Sequence, residues 1–177
     1  MPGCTFRRLP IDHRISIARR EGVGSREKTP ERGVGALRAL EVGVLTGARV
    51  LVADDDPLLL ESVADALISL GADVIRASSG EELVEELANE GPFDLVVTDV
   101  GMPWMSGLTA IHAARSSGIS MAVIIMTARE DERIPAQVQA LGPDAVYLRK
   151  PFGLAELGAA ASALVARRHA SAAERDE

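Results

Sequence analysis

The sequence has a single cysteine, Cys4, and no long apolar run. One cysteine cannot build a disulfide framework within the chain, which fits a reducing compartment. No apolar stretch approaches the roughly 20 residues that a membrane-spanning helix needs, and the charged N-terminus lacks the apolar core of a secretory signal. With 47% hydrophobic and 25% charged residues, the composition is that of an ordinary globular protein. We therefore expect a cytoplasmic protein without a membrane span.

Acidic and basic residues are distributed unevenly along the 177 residues, whose formal net charge is −7. Residues 1–47 hold nine Lys or Arg and five Asp or Glu, about +4, whereas residues 48–177 hold ten and twenty-one, about −11. The first stretch mixes Arg, Gly and Pro without a sustained apolar period. We therefore expect a mostly disordered basic tail over 1–47, one domain over 48–170 and a short tail over 171–177. The acidic domain disfavours nucleic acid as a direct ligand, because phosphate binding needs a basic surface.

From Arg49 onward, short apolar runs alternate with amphipathic stretches. The runs predict strands at 49–53, 72–77, 94–98, 121–127 and 145–148. The amphipathic stretches predict helices at 58–71, 79–91, 106–118, about 134–141 and 153–170, with Ser79 as the cap of the second. Strands that alternate with helices are typical of βαβ units. The predicted fold class is therefore α/β, a doubly wound five-stranded parallel sheet with five helices.

Polar side chains follow four of the predicted strands at the points where they end. Three consecutive acids, 54–56, follow the first strand, and Asp99 follows the third. Thr127 ends the fourth strand, and Lys150 lies just beyond the fifth. The carboxyl ends of parallel strands share one edge, which is where ligands of such sheets bind. The sequence therefore predicts a pocket that combines carboxylates, a hydroxyl and an ammonium.

This set of charges favours phosphoryl chemistry with a divalent cation. Clustered carboxylates repel one another unless a pKa rises or a cation neutralises them. Hard oxygen ligands with room for water suit Mg²⁺, which would clamp an incoming phosphoryl group. Asp99 could then act as a carboxylate nucleophile and form an aspartyl phosphate, while Thr127 and Lys150 contact phosphoryl oxygens.

Each of these residues also has an ordinary structural role open to it. An acid before a helix usually caps it, as Asp56 could cap the first helix. Asp99 could cap its loop, Thr127 could bond to backbone, and Lys150 could be solvated. Their joint occurrence at the strand ends, in the expected order, favours the functional interpretation.

Four motifs occur in order within residues 49–168: "VLVADDDP", "DLVVTDVGMPWMSGL", "IIMTA" and "YLRKPF". They resemble the acidic-pair strand, the phosphoacceptor strand and its turn, the Thr-Ala strand end and the Lys-Pro motif of the receiver domain of two-component response regulators. The resemblance implies a flavodoxin-like fold with strand order 2-1-3-4-5. It also implies Mg²⁺ as the cofactor.

The resemblance assigns a role to each matching position. Asp99 would be the phosphoacceptor, with Thr127 and Lys150 in contact with the phosphoryl group. Thr127 and the aromatic Tyr147 would form the switch. The metal ligands would be Asp54, Asp55, Asp99 and the backbone carbonyl of Gly101.

The resemblance implies a receiver, and the short stretch after residue 170 leaves no room for an output domain, so we expect a stand-alone receiver. It would accept a phosphoryl group from a sensor histidine kinase or a histidine phosphotransfer protein, without being an enzyme beyond its own phosphorylation and dephosphorylation. It would then bind a downstream protein differently through the face of the fourth helix, fifth strand and fifth helix. The Ala- and Gly-rich last helix would permit a homodimer. Neither nucleic acid nor membrane is an expected direct partner.

Two departures from the family pattern and two alternative functions qualify this expectation. Gly101 has no side chain where the family often carries Asn, Met or a similar group, and Arg129 lies two residues after Thr127. Both positions border the path of water to the phosphoryl group in the family, which bears on the lifetime of that group. Pro135 fits only the first turn of the fourth helix, so that helix should start near Ile134. One alternative is a pseudo-receiver that binds proteins without phosphorylation. The other is a haloacid dehalogenase-like phosphatase, which needs a second acid where Gly101 stands.

Overall fold

Five strands form one sheet in the computed structural model, which describes residues 43–128 and 131–174. The strands are β1 Arg49–Ala53, β2 Asp73–Ala77, β3 Leu95–Asp99, β4 Ala122–Thr127 and β5 Ala145–Arg149. The helices are α1 Pro57–Ser69, α2 Gly80–Asn89, α3 Gly107–Ser116, α4 Arg133–Ala140 and α5 Leu154–Ala173. Each strand lies within one residue of its predicted bounds. Over these two ranges, no helix has both the length and the apolarity to cross a membrane.

All neighbouring strands are parallel, and their order is β2-β1-β3-β4-β5. The predicted α/β class and the order 2-1-3-4-5 are therefore confirmed. The register aligns the strand ends: Ala53 at the end of β1 pairs with Ala77 and Thr98, and Thr127 pairs with Arg149. The carboxyl ends of the strands consequently share one edge of the sheet.

Helices cover both faces of the sheet, which explains why its central strands are apolar up to their carboxyl ends. Every residue of β3 and β4 is buried. On one face, α1 and α5 contribute Leu67 and Leu157 to a core cluster. On the other face, α2, α3 and α4 contribute Leu83, Ile111 and Val138. The two clusters hold the sheet, and with it the strand ends, between two helical layers.

Short polar side chains fix where several helices begin. The Asp56 carboxylate accepts the Leu58 amide at 2.9 Å, which confirms the capping role that the sequence left open for this acid. Ser79 caps α2 as predicted, its hydroxyl accepting the Glu82 amide at 3.1 Å. Helix α4 begins at Arg133, one residue before the predicted start, with Pro135 in the first turn, where no intrahelical bond needs its missing amide.

Residues 43–47 belong to the packed structure and not to a tail, which moves the expected domain boundary at residue 48 toward the N-terminus. Leu45 is only 1% exposed, and its amide donates to the Leu70 carbonyl at 3.0 Å. The rest of the predicted tail, residues 1–42, lies outside the described residues. At the other end, α5 continues to Ala173, past the expected boundary at residue 170.

Candidate functional site

Asp54 lies at the end of β1 with its carboxylate turned into the protein. Its side chain is 1% exposed, and its Oδ1 accepts the Asp56 amide at 2.9 Å. The next acid, Asp55, is exposed to solvent, as is Asp56, which caps α1. The three consecutive acids therefore have three different environments, and only Asp54 is buried at the strand edge.

Asp99 is the last residue of β3 and is 5% exposed. Its Oδ2 accepts the backbone amide of Gly101. A Cβ atom on Gly101 would lie 2.8 Å from the same oxygen, so a larger residue here would displace the carboxylate. Gly107, at the start of α3, packs so closely on Thr98 and the Asp99 carbonyl that a side chain would not fit. Glycines on both sides of the turn therefore let the backbone hold Asp99 in place.

Lys150 joins the two buried acids. Its Nζ lies 2.7 Å from Asp54 Oδ2 and 2.6 Å from Asp99 Oδ1. The Lys150 amide donates to the Thr127 carbonyl at 2.8 Å, which fixes the start of the loop after β5 beside the end of β4. The Lys150–Pro151 peptide bond is cis. One ammonium thus links the ends of β1 and β3 across the strand edge.

Burial and pairing have opposing effects on these charges. Burial raises the pKa of Asp54 above its usual value, against hydrogen bonds from Lys150 and the Asp56 amide that favour its charged form. Burial would lower the pKa of Lys150, but its hydrogen bonds to Asp54 and Asp99 and their charges raise it. Two carboxylates share one ammonium, so the site has an excess of negative charge when both acids are ionised.

Thr127 and Tyr147 line a common surface pocket of about 390 Å³. Thr127 is 4% exposed at the end of β4, and Tyr147 on β5 is 44% exposed. The pocket between them is bordered by Ile134 and Pro135 of α4.

The donor set suits a hard divalent cation in its chemistry. Carboxylate and carbonyl oxygens are the ligands that Mg²⁺ prefers, and the excess negative charge would be offset by a cation. Within the two described ranges, however, no three acidic, histidine or cysteine side chains lie close enough to hold a metal ion. Asp55 is exposed, and Lys150 already bonds to both Asp54 and Asp99. The chemistry of these oxygen donors therefore fits Mg²⁺.

The structure brings most of the predicted site residues to one edge. Asp54, Asp99 and Lys150 are in direct contact, and the Gly101 amide bonds to Asp99. Thr127 ends the neighbouring strand, whereas Asp55 is exposed and Arg129 lies outside the described residues. The sequence pattern did not indicate the bonds of Lys150 to both acids or the close contact of Gly107 with Thr98. A glycine eight residues after a strand-end acid, directly after a serine cap, was the only signal for the latter.

Comparisons with known proteins agree with this geometry. The family model for the response regulator receiver domain matches residues 50–162. Response regulator MprA from Mycobacterium sp. strain KMS is 40% identical over 121 residues, which are 67% of this chain and 51% of that protein. The chain thus spans about half the length of the curated relatives it matches.

Solved structures show the same fold. The receiver domain of the Francisella response regulator 1452 aligns with a TM-score of 0.63 and 29% identity, over 68% of this chain and 98% of that one. A CheX–CheY–BeF3–Mg complex from Borrelia burgdorferi aligns with a TM-score of 0.58 and 26% identity, over 63% and 84%. By its matched residues and its fold, the chain belongs to the response regulator receiver domain family.

Proposed function

We propose that this receiver is a phosphorylation-dependent switch that accepts a phosphoryl group on Asp99 from a histidine kinase or a histidine phosphotransfer protein. The observation that carries this proposal is the contact of Lys150 with both Asp54 and Asp99 at the strand edge. The buried carboxylate can act as the nucleophile. The ammonium at bonding distance can stabilise the negative charge of an incoming phosphoryl oxygen.

In the proposed transfer, an Asp99 oxygen bonds to phosphorus while the phosphorus–nitrogen bond of the donor phosphohistidine breaks and the imidazole leaves. Lys150 then pairs with a phosphoryl oxygen instead of the two carboxylates, and the Thr127 hydroxyl donates to another. The Mg²⁺ ligands would be Asp54, Asp55, Asp99 and the Gly101 carbonyl. When bound, the ion supplies the positive charge that lets an anionic phosphoryl group approach these acids.

In the proposed response, a movement of Thr127 causes a conformational change of Tyr147. Movement of the Thr127 hydroxyl toward the phosphoryl group makes more room in the pocket of about 390 Å³ that both residues line, and the exposed Tyr147 ring then moves inward. The face of α4, β5 and α5 would change shape and with it the affinity for a downstream protein, or for a second copy of the chain. The acidic charge of the domain continues to disfavour nucleic acid as its direct ligand.

Trp104 offers a test, because it is the only tryptophan and lies in the loop after Asp99. Mg²⁺ should change its fluorescence. Beryllofluoride, which mimics a phosphoryl group on a carboxylate, should change it further only when Mg²⁺ is present. Asp99→Asn should abolish the beryllofluoride response, because an amide is a poor nucleophile and carries no charge. Asp55→Ala should weaken the Mg²⁺ response by removing a ligand.

Asp56→Asn is the matched control, since Asn also caps helices and Asp56 has no proposed contact with the ion. It should keep both responses. A beryllofluoride response that survives Asp99→Asn, or one that needs no divalent cation, would rule out Asp99 as the phosphoacceptor.

A further inference from the structure

Trp104 stands out from the rest of the described surface in two independent respects. Its side chain is 97% exposed, the highest value among the large apolar residues that are exposed. Its backbone has φ 64°, and it is the only residue other than glycine with positive φ in the described part of the chain. A bulky residue rarely adopts this left-handed conformation.

We propose that Trp104 is the anchor by which a protein phosphodonor docks on this receiver, its indole entering an apolar pocket of the donor beside the phosphohistidine. The proposal rests on the proposed function of Asp99. It adds a residue that binds a protein phosphodonor and is not needed for phosphorylation by a small-molecule donor.

The backbone on both sides of Trp104 is fixed by the fold, and the indole extends from it into solvent. Met102 is buried in the core, and Met105 packs against the same cluster. The backbone of Met105 lies directly against Gly80, where a side chain would not fit. Ser106 caps α3 by accepting the Thr109 amide at 3.2 Å. A tryptophan side chain has only two rotatable side-chain bonds, and here its backbone is already ordered, so it loses little entropy on binding, which favours it as an anchor.

The location of the loop determines which partner can use it. The loop runs from Asp99, at the carboxyl edge of the sheet, to Gly107 at the start of α3. Asp99 is 5% exposed, so a donor atom can reach it only by entering at this edge. A protein that brings a phosphohistidine to Asp99 therefore approaches the edge that this loop borders.

The exposure of Trp104 also excludes an internal role. A side chain that is 97% exposed makes almost no contact with its own chain, so it neither shapes the pocket nor supports the fold. A small donor such as acetyl phosphate is therefore expected to be indifferent to it. Tryptophan is enriched among the residues that dominate interface energies, which fits a protein partner with an apolar pocket.

The test compares the two kinds of donor on the full chain. The protein donors are the cytoplasmic portions of the histidine kinases of the same genome, each autophosphorylated with ATP, and the fastest is used for rates. Trp104→Gly should slow transfer from this kinase by about tenfold or more, as truncation of a dominant interface residue does. Labelling by acetyl phosphate should be unchanged, and Trp104→Phe, which keeps an aromatic ring, should restore most of the transfer.

The matched control is Ile68→Ala. Ile68 is also a partly exposed apolar residue, but it lies at the end of α1 that is remote from the carboxyl edge, and its replacement should leave both rates unchanged. Equal transfer from the kinase to Trp104→Gly and to the unmodified chain would overturn the anchor. So would an equal loss with acetyl phosphate, or an effect confined to self-association in sedimentation. A chain that neither donor labels would instead overturn the proposed function.

Discussion

At the scale of single residues, the site combines burial with an unbalanced charge. Asp54 and Asp99 are both almost fully buried, yet Lys150 is the one cation that bonds to them in the described chain. Burial raises the pKa of Asp54, and the Asp99 charge acts in the same direction. An arrangement that costs stability in the resting protein is expected where an incoming cation or phosphoryl group removes the cost.

Replacing Asp99 by Asn should therefore stabilise the protein. Asp54 would keep its bond to Lys150 without a second carboxylate beside it, and the unfolding free energy should rise by about 1 kcal/mol at neutral pH. Because the folded-state pKa of Asp54 is raised, stability is lost as the pH rises from about 4 through that pKa. Asp99→Asn lowers this pKa, so its advantage should appear over the same pH range and vanish below it. Urea unfolding at several pH values measures the difference.

Lys150→Met removes the positive charge of the site instead of a negative one, so it serves as the control for Asp99→Asn. It leaves two buried carboxylates without their cation, so it should lower the unfolding free energy at neutral pH by about 3 kcal/mol, as breaking a buried pair does. The loss should shrink in acid as the carboxyl groups protonate. If Asp99→Asn were as destabilising as Lys150→Met, the charge imbalance would not be the main energetic feature of the site.

At the scale of secondary-structure elements, the strand ends and the helices that follow them determine how the proposed switch could work. Thr127 ends β4, Tyr147 lies on β5, and α4 closes their shared pocket. Tyr147 is the only tyrosine, so fluorotyrosine gives a single ¹⁹F resonance. We expect beryllofluoride with Mg²⁺ to shift this resonance in the unmodified protein. In Thr127→Ala the Trp104 response should persist while the tyrosine shift is lost, because the hydroxyl transmits the change.

Thr127→Ser keeps a hydroxyl at the same place and should retain the tyrosine shift. A full shift in Thr127→Ala would show that Tyr147 moves without the threonine, and would rule out this route to the α4–β5–α5 face.

The bounds of the strands and helices could be predicted from the sequence, for a different physical reason in each case. β3 and β4 lie between two helical layers, so their apolar runs give their ends to within one residue. Ser79 identifies the start of α2 because its hydroxyl is needed there. The strand order did not follow from the alternation of elements, which is compatible with several orders, and came from the resemblance to a family.

The site was less accessible, because its contacts join residues far apart in the chain. Lys150 lies ninety-six residues from Asp54, and nothing in the local pattern distinguishes an ammonium that bonds two acids from a solvated one. Asp54 and Asp55 are adjacent residues of the same type, yet Asp54 is buried and Asp55 is exposed. Only the backbone direction at the end of β1 decides between them.

At the scale of the whole molecule, the two helical layers and the sheet depend on residues before the first strand. Leu45 packs in the core cluster shared with α1 and α5. Its amide bonds to the carbonyl of Leu70, and its carbonyl accepts the Ala48 amide at 2.9 Å. The segment 43–47 therefore ties the entry of β1 to the end of α1.

Two truncations should consequently differ in stability. Removing residues 1–42 should leave the unfolding free energy nearly unchanged, because that stretch has no sustained apolar period in its sequence. Removing residues 1–47 should lower it by about 3 kcal/mol, since a fully buried leucine and its backbone hydrogen bonds are lost. Leu45→Ala in the chain that lacks residues 1–42 should reproduce most of that loss. The urea midpoints of all three chains measure these differences, provided that the m-value does not change. Both truncated chains should keep the beryllofluoride response of Trp104, as the strand edge lies at the opposite end of β1. Equal stability of the two truncations would mean that Leu45 contributes nothing to the core, and a loss on removing 1–42 alone would place a stabilising contact within those residues.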